Sequence, residues 1–263
     1  MAIEHHAGFG ITREEIYIRE LGLHDLAVAL AQGWDDFLAK RGDLIFIGLF
    51  YPTVVLAASL YALNTSLLYL LFPLAAGSIL FGPAAACGFY ELARRREQGL
   101  DARWRNFLDV VHGPSAFSLF ALTAVVTLLF LLWIAAAGAI YSLTLGLLLP
   151  ANWASFVRAV FTTPEGWVMI VAGNLVGLGF AILTLAISVI SFPMLVDRPV
   201  GLALAVRTSL RVTAKNPVTI AAWGLIVVAM LVLGSLPALI GLAVVLPVLG
   251  YATWHLYTRA VVR

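Results

Sequence analysis

A chain of 263 residues that is 62% hydrophobic and only 11% charged, with a mean hydropathy of +0.99, cannot be a water-soluble domain, in which about 45–50% apolar and about 25% charged residues are usual. The formal charge of +2 is too small to imply a global attraction to nucleic acid. The single cysteine, Cys87, excludes an internal disulfide and a multi-cysteine metal cage, and its apolar setting reads as a small hydrophobe in a helix interior instead of a thiol nucleophile.

Residues 1–22 carry His5, His6, Arg13, Glu14, Glu15, Arg19 and Glu20 between glycines, and read as a mobile tail. The adjacent imidazoles of His5 and His6 lack fixed partners and make a poor metal site. Residues 1–43 are polar with both signs of charge, unlike a cleavable signal peptide, so the first span is expected to act as its own insertion signal. Over 23–40, Leu26, Leu30, Trp34, Phe37 and Leu38 share one helical face, with Asp25, Gln32, Asp35, Asp36 and Lys40 largely off it. That pattern predicts an amphipathic surface helix.

Residues 23–263 are expected to form one all-α membrane domain of six spans, at about 44–63, 67–90, 115–147, 166–196, 218–236 and 238–257. The first is a run of twenty uncharged residues, about what a hydrocarbon core of roughly 30 Å requires. Asn64, Thr65 and Ser66 leave room only for a tight turn. The second carries Pro73 and the Gly82-Pro83 pair, which predict a kink. A polar stretch follows with Arg94, Arg95, Arg96, Arg103 and Arg105, in which Trp104, Phe107, Leu108 and Val111 suggest another surface helix, ended by Gly113 and Pro114. The uncharged run 115–149 is too long for one upright span and too short for two, so a tilted helix whose end protrudes or bends near Gly138 to Gly146 is expected. Residues 150–165 read as a loop on the far side, with Trp153, Phe156, Val160 and Phe161 at the interface. In the fourth span Gly173 and Gly177 form a GxxxG pair beside Asn174, a pattern that favours close helix packing over a substrate site.

The stretch 191–217, SFPMLVDRPVGLALAVRTSLRVTAKNP, ends one apolar run at Phe192 and Pro193, crosses Asp197 and Arg198, and turns at Pro199. It then places Arg207, Arg211 and Lys215 at four-residue spacing on one face, opposite Leu202, Val206 and Leu210. This predicts a basic amphipathic helix on a membrane surface between two spans. Fifteen of the sixteen Lys and Arg residues lie in the four segments on one side of the six spans, and only Arg158 lies on the other. By the positive-inside rule both termini are then cytoplasmic. A surface helix followed by a spanning hairpin would occur three times, with Pro83, Pro193 and Pro247 in the returning helices. A shift of 176 residues lays Leu26, Val28, Gly48 and Leu49 over Leu202, Leu204, Gly224 and Leu225, although such matches are cheap in an apolar chain.

Convergent polar groups of the kind an enzyme or an ion path needs are nearly absent from the spans. Glu91, Asp197 and His255 come nearest. Glu91 precedes three arginines and Asp197 precedes Arg198, which reads as structural pairing. His255, between Trp254 and Tyr257, fits an interfacial aromatic belt better than a ligand. No catalytic, cofactor or metal residues are assigned.

The segments GLFYP at 48–52, FGPAAACGFYELARRREQG at 81–99, the stretch 191–217 and LAVVLPVLGYATWHLYTRAVV near the end resemble the bacterial family of predicted integral membrane proteins called DUF2189, from about Leu26 to the C-terminus. The resemblance implies a bacterial inner-membrane location and brings no established activity. Some members are labelled putative cytochrome c oxidase subunit I, but two haems and a copper need about six histidines at membrane depth. This chain has five in all, four of them in predicted cytoplasmic segments, which excludes a haem-copper catalytic subunit but not an accessory role. The leading expectation is a non-catalytic accessory or scaffold protein that binds anionic lipid of the cytoplasmic leaflet, or a membrane-protein partner such as a respiratory complex. Its contacts would be Arg207, Arg211, Lys215, Arg94, Arg95 and Arg96. The alternatives are a transporter or small-molecule carrier, supported by proline-broken returning helices, and a membrane-embedded lipid-modifying enzyme using Asp197 and Glu91.

Overall fold

The computed structural model describes residues 16–39, 73, 82–146, 153–236 and 240–263. Among them helix is the only extended regular structure, beside a single antiparallel bridge between Ile18 and Val261. The helices are α1 (23–39), α2 (Gly82–Ala85), α3 (Cys87–Glu97), α4 (Ala116–Thr144), α5 (Trp153–Thr162), α6 (Pro164–Ser188), α7 (Ser191–Asp197), α8 (Leu202–Lys215), α9 (Pro217–Ser235) and α10 (Leu242–Ala260). The expected span 44–63 and most of 67–90 lie outside the described residues, as do 1–15 of the expected tail.

Three helical stretches among the described residues are long and apolar enough to cross a membrane: Ala116–Thr144, Pro164–Asp197 and Pro217–Ser235. Their outer faces carry exposed large apolar side chains, among them Phe117, Leu128 and Leu132 on α4, Val171 and Leu175 on α6, and Leu225 and Leu233 on α9. In water such surface would be a liability, and in lipid it is the expected exterior. The 29 residues of α4 measure about 44 Å at 1.5 Å per residue, so the helix must tilt or emerge from a core of about 30 Å.

Local chemistry sets the boundaries. Pro164 stands at the first position of α6, and the Thr163 hydroxyl caps it by accepting from the Gly166 amide at 3.0 Å. Pro217 opens α9 in the same way after Asn216. The Asp25 carboxylate reaches back to the Gly22 amide at 2.8 Å and fixes the start of α1. Between α6 and α7 the ladder step from the Ile190 amide to the Ala186 carbonyl is opened by a side chain from α8. Ser209 Oγ accepts from Ile190 N at 3.2 Å and donates to Ala186 O at 2.7 Å. A hydroxyl inserted in this way is a recognised cause of a helix break, and it bolts α8 to the broken span.

α10 occupies the centre of the assembly. Trp254, Tyr257 and Ala260 are 0% exposed and Tyr251 only 3%, and the helix packs against α3, α7 and α9. α1 lies so close that a Cβ on Gly33 would come within 2.7 Å of the Ala252 amide nitrogen. That approach changes the expected face of α1: Leu26, Ala29, Asp36 and Phe37 are buried with Gly33, while Trp34 and Leu38 are exposed.

Three further expectations are corrected. Of the tail 1–22, residues 16–22 are docked: Arg19 N donates to Ala260 O, Val262 N to Tyr17 O, and Leu21 N to Asn216 Oδ1, with Ile16, Ile18 and Leu21 buried. Their amides find partners in the chain's last residues and in Asn216, so the segment is a strap. The segment 150–165, expected as a far-side loop, contains a ten-residue helix, α5. The surface helix after the arginines is a nine-residue 3₁₀ helix, Trp104–His112, whose Trp104, Leu108 and Val111 are exposed while Phe107 packs over Gly88.

Candidate functional site

Where α3, α7 and α10 end and α9 begins, the polar side chains form a belt, called here the charged end. Glu91, 4% exposed, accepts from Arg94 Nη2 at 2.7 Å and from Arg95 Nε at 2.7 Å. Arg95 also reaches Asp109 Oδ2 at 2.8 Å, where Asn106 joins at 2.8 Å. Arg96 pairs with Asp36 at 3.2 Å, and the other Asp36 oxygen lies 2.8 Å from His255 Nε2. Spacing on one helix makes the first set possible, since Glu91 stands one turn before Arg94 and Arg95. The others need α1 and the 3₁₀ helix to be folded against α3.

The C-terminus closes the belt. Tyr257 donates to Asp197 Oδ2 at 2.7 Å, Arg198 Nε lies 3.5 Å from the same oxygen, and Arg263 approaches Asp197 Oδ1 at 3.6 Å. Arg263 also holds Glu97, donating to Oε2 at 2.9 Å and pairing with Oε1, while the Trp254 indole donates to Oε2 at 3.2 Å. The hydrogen bonds from Arg263 hold the Glu97 carboxyl below its usual pKa and outweigh partial burial. Arg259 pairs with Asp25 at 3.3 Å. Trp254 is therefore a core residue, with Arg263 stacked 5.7 Å from its ring, and not part of a lipid-facing aromatic belt. His255 points to Asp36.

These contacts divide the expected basic face. Arg94, Arg95 and Arg96 are engaged by carboxylates, as is Arg198. On α8 the buried side consists of Ala205, Thr208, Ser209 and Val212, and Leu210 is 42% exposed. The helix thus packs chiefly through Ala205, Thr208, Ser209 and Val212, with Leu202 and Val206 of the expected stripe half-buried against the core and Leu210 turned outward, while Ser209 reaches the α6–α7 break. Lys215 donates to Ile18 O at 2.9 Å and lies over the Tyr17 ring. Arg207 and Arg211 are exposed and have no ion-pair partner among the described residues. Arg211 and Lys215 line a pocket of about 380 Å³ with Ile16, Tyr17, Ile18 and Ala214. The strap and α8 together make this concavity, which spacing along the chain could not reveal.

The GxxxG pair is split. A Cβ on Gly177 would stand 2.9 Å from the Trp133 ring, whereas nothing lies within 4 Å of one on Gly173. Asn174 is exposed and donates to its own helix at Ile170 O, 2.7 Å. A second cavity, of about 150 Å³, lies among α2, α3, α6, α9 and α10. Among the described residues no group of three His, Cys, Asp or Glu side chains is disposed to hold a metal ion.

The residues that sequence reasoning missed are Asp36, Glu97, Arg259, Arg263, Tyr257 and Ser209. Asp36 had a signal: an acid beside Phe37 on a helix that must pack its apolar side. Ser209 had none.

Residues 71–197 match a family described as predicted integral membrane protein (DUF2189). The matched stretch covers α2–α7 and is narrower than the resemblance from Leu26 to the C-terminus. No curated protein and no solved structure matches the chain.

Proposed function

We propose that this chain, whose residues 71–197 match the predicted integral membrane proteins of the DUF2189 family, is a non-catalytic accessory protein that docks anionic headgroups or an acidic partner through α8. The charged end is read as cytoplasmic, with six spans and both termini on that side. The observation that carries the docking reading is the contrast among the cations. Arg94, Arg95, Arg96, Arg198, Arg259 and Arg263 are each held by a carboxylate, whereas Arg207 and Arg211, like Arg19 and Arg105, are exposed without one among the described residues, and Arg211 lines a pocket together with Lys215. An exposed cation near an anionic leaflet contributes about 1 kcal/mol. The two arginines would then contribute about 2 kcal/mol, roughly a thirtyfold change in affinity. Among the described residues the second cavity has no charged residue in its wall, which supports an accessory role over a carrier of charged solutes.

The test is the double variant Arg207→Gln/Arg211→Gln, purified in mild detergent beside the wild type, with bound lipid and co-purifying proteins identified by mass spectrometry. Lys215 is left in place because it holds the strap. Loss of anionic lipid or of one reproducible protein partner, mimicked in the wild type by raised salt because exposed charges are screened over about 8 Å at physiological ionic strength, is the expected result. An unchanged lipid and partner profile at normal expression would overturn the docking role.

A further inference from the structure

The cavity of about 150 Å³ lies between α6, α9 and α10, with α2 and α3 closing one side. Its place follows from α9: Trp223 and Leu231 both line it, and they stand about 9 Å and 21 Å along the helix from Pro217. The cavity therefore lies inside the apolar part of the bundle, about midway along α9. Most of its wall is apolar, built by residues such as Leu185, Val189, Val227 and Leu249, and four hydroxyl side chains line it: Tyr90, Thr184, Ser188 and Thr253.

Two of these hydroxyls are not idle. Thr253 Oγ1 donates to Leu249 O at 2.7 Å, and the Tyr90 hydroxyl lies beside Thr253. The other two are idle. Thr184 and Ser188 are 3% and 1% exposed, and neither Oγ has a hydrogen-bond partner among the described residues. A hydroxyl on a helix ordinarily satisfies itself at the carbonyl four residues back. Thr123, Thr127, Thr144 and Ser235 all do so in this protein, at 2.7–2.8 Å. Thr184 and Ser188 stand one turn apart on one face of α6 and decline that bond together. Leaving a buried donor unmade costs more than a typical bond returns, so a pair of them facing one cavity calls for an acceptor from elsewhere.

We propose that this cavity is a binding site for a small, neutral, lipid-soluble molecule of about one ring that carries a carbonyl-type acceptor, with Thr184 and Ser188 as its donors. Neutrality follows from the absence of any charged residue among the described residues of the wall, since an ion there would be neither solvated nor paired. Size follows from the volume, which equals that of an engineered apolar cavity of about 150 Å³ that admits benzene. Acceptor character follows from the two idle hydroxyls. A single water, whose share of liquid volume is about 30 Å³, would satisfy hydroxyls but leave most of the apolar wall unfilled. The site stands apart from α8 and does not rest on the docking reading.

The experiment uses the full chain in phosphatidylcholine nanodiscs, titrated with 4-fluoroacetophenone and with 4-fluoroethylbenzene, and read by fluorine NMR. The two probes share a ring and differ in the acceptor. The expected result is saturable binding of the ketone, about tenfold tighter than the hydrocarbon, with that preference lost in Thr184→Val/Ser188→Ala and retained in Thr184→Ser. Equal affinity of wild type for the two probes, absence of saturable ketone binding, or an undiminished preference in the double variant would each overturn the proposal. Should the double variant fail to fold, the comparison of the two probes on the wild type still decides it.

Discussion

Alanine placed at each glycine of the Gly173/Gly177 pair separates close packing from mere smallness. On Gly177 the added methyl would stand 2.9 Å from Cη2 and 3.2 Å from Cζ3 of Trp133, where carbon atoms prefer about 3.5–4.0 Å. The ring must retreat by about 0.6 Å to reach the near edge of that range. It has little room, because Trp133 is 5% exposed, its indole donates to Pro73 O at 2.9 Å, and Phe180 lies 6.0 Å from it. Overpacking of this kind costs about 1–3 kcal/mol. On Gly173 the methyl meets nothing within 4 Å. Both variants gain the helix preference of alanine over glycine, about 0.8–1.0 kcal/mol, so that gain cancels in their difference. Reversible unfolding by SDS in mixed micelles should find Gly173→Ala at least as stable as wild type, and Gly177→Ala less stable than Gly173→Ala by about 1–3 kcal/mol. Equal stability of the two variants would refute the assignment of the α4–α6 contact to Gly177.

Ser209→Ala removes the hydroxyl from the α6–α7 break and leaves the Ile190 amide and Ala186 carbonyl without it; a loss of about 1–3 kcal/mol and faster amide exchange at Ile190 are expected, and unchanged exchange would show the break to be independent of α8. Because hydrogen bonds from Arg263 lower the pKa of Glu97, the stabilisation they give is complete above the unfolded carboxylate range and is lost as pH falls through the lower folded value. The Arg263 Nε resonance should accordingly titrate below the ordinary glutamate range, and Glu97→Gln should abolish that titration; a midpoint at or above the ordinary value would contradict the pairing. For orientation, cysteines introduced by Arg103→Cys and Arg211→Cys should resist an impermeant thiol reagent in intact cells while Ser155→Cys reacts, and labelling of residue 211 from outside would reverse the topology.

The long uncharged runs were legible because lipid tolerates only apolar side chains over a stretch long enough to cross it, and that demand is local. The expected span at 218–236 begins one residue after Pro217, the first residue of α9, for the same local reason. What the sequence concealed is non-local. The strap at 16–22 depends on Asn216 and Thr219, nearly two hundred residues away, whose side chains bind Leu21. The buried face of α1 turned on Gly33, because the absence of a side chain lets α10 approach where a periodicity of large apolar residues points elsewhere. Trp254 was misplaced for a similar reason: an aromatic cluster beside a basic terminus fits a lipid interface, and only the fold brings Glu97 to its indole. Within the candidate site the charges were visible but their partners were not, apart from the Glu91 set that lies on a single helix.

That division bears on what the basic residues are for. A positive-inside bias needs cations near the ends of spans and is indifferent to whether they are paired in the folded state. Most arginines of the charged end are paired, and a pair facing inward presents little field to an anionic surface, since its charges largely cancel within a Debye length. The same residues can therefore orient the chain during insertion and afterwards hold α1, α3, α7 and α10 together, without serving as a contact for lipid. Arg207 and Arg211 differ because α8 turns its small residues inward to reach the α6–α7 break, which leaves the arginines on the outer side where no carboxylate of the described residues meets them. On the proposed docking reading, packing and docking are coupled through Ser209: the bond that breaks the span also fixes the face that the helix presents. If α8 responds to a bound headgroup, its movement must act on the Ile190 amide and Ala186 carbonyl, each two residues from Ser188 in the wall of the inner cavity.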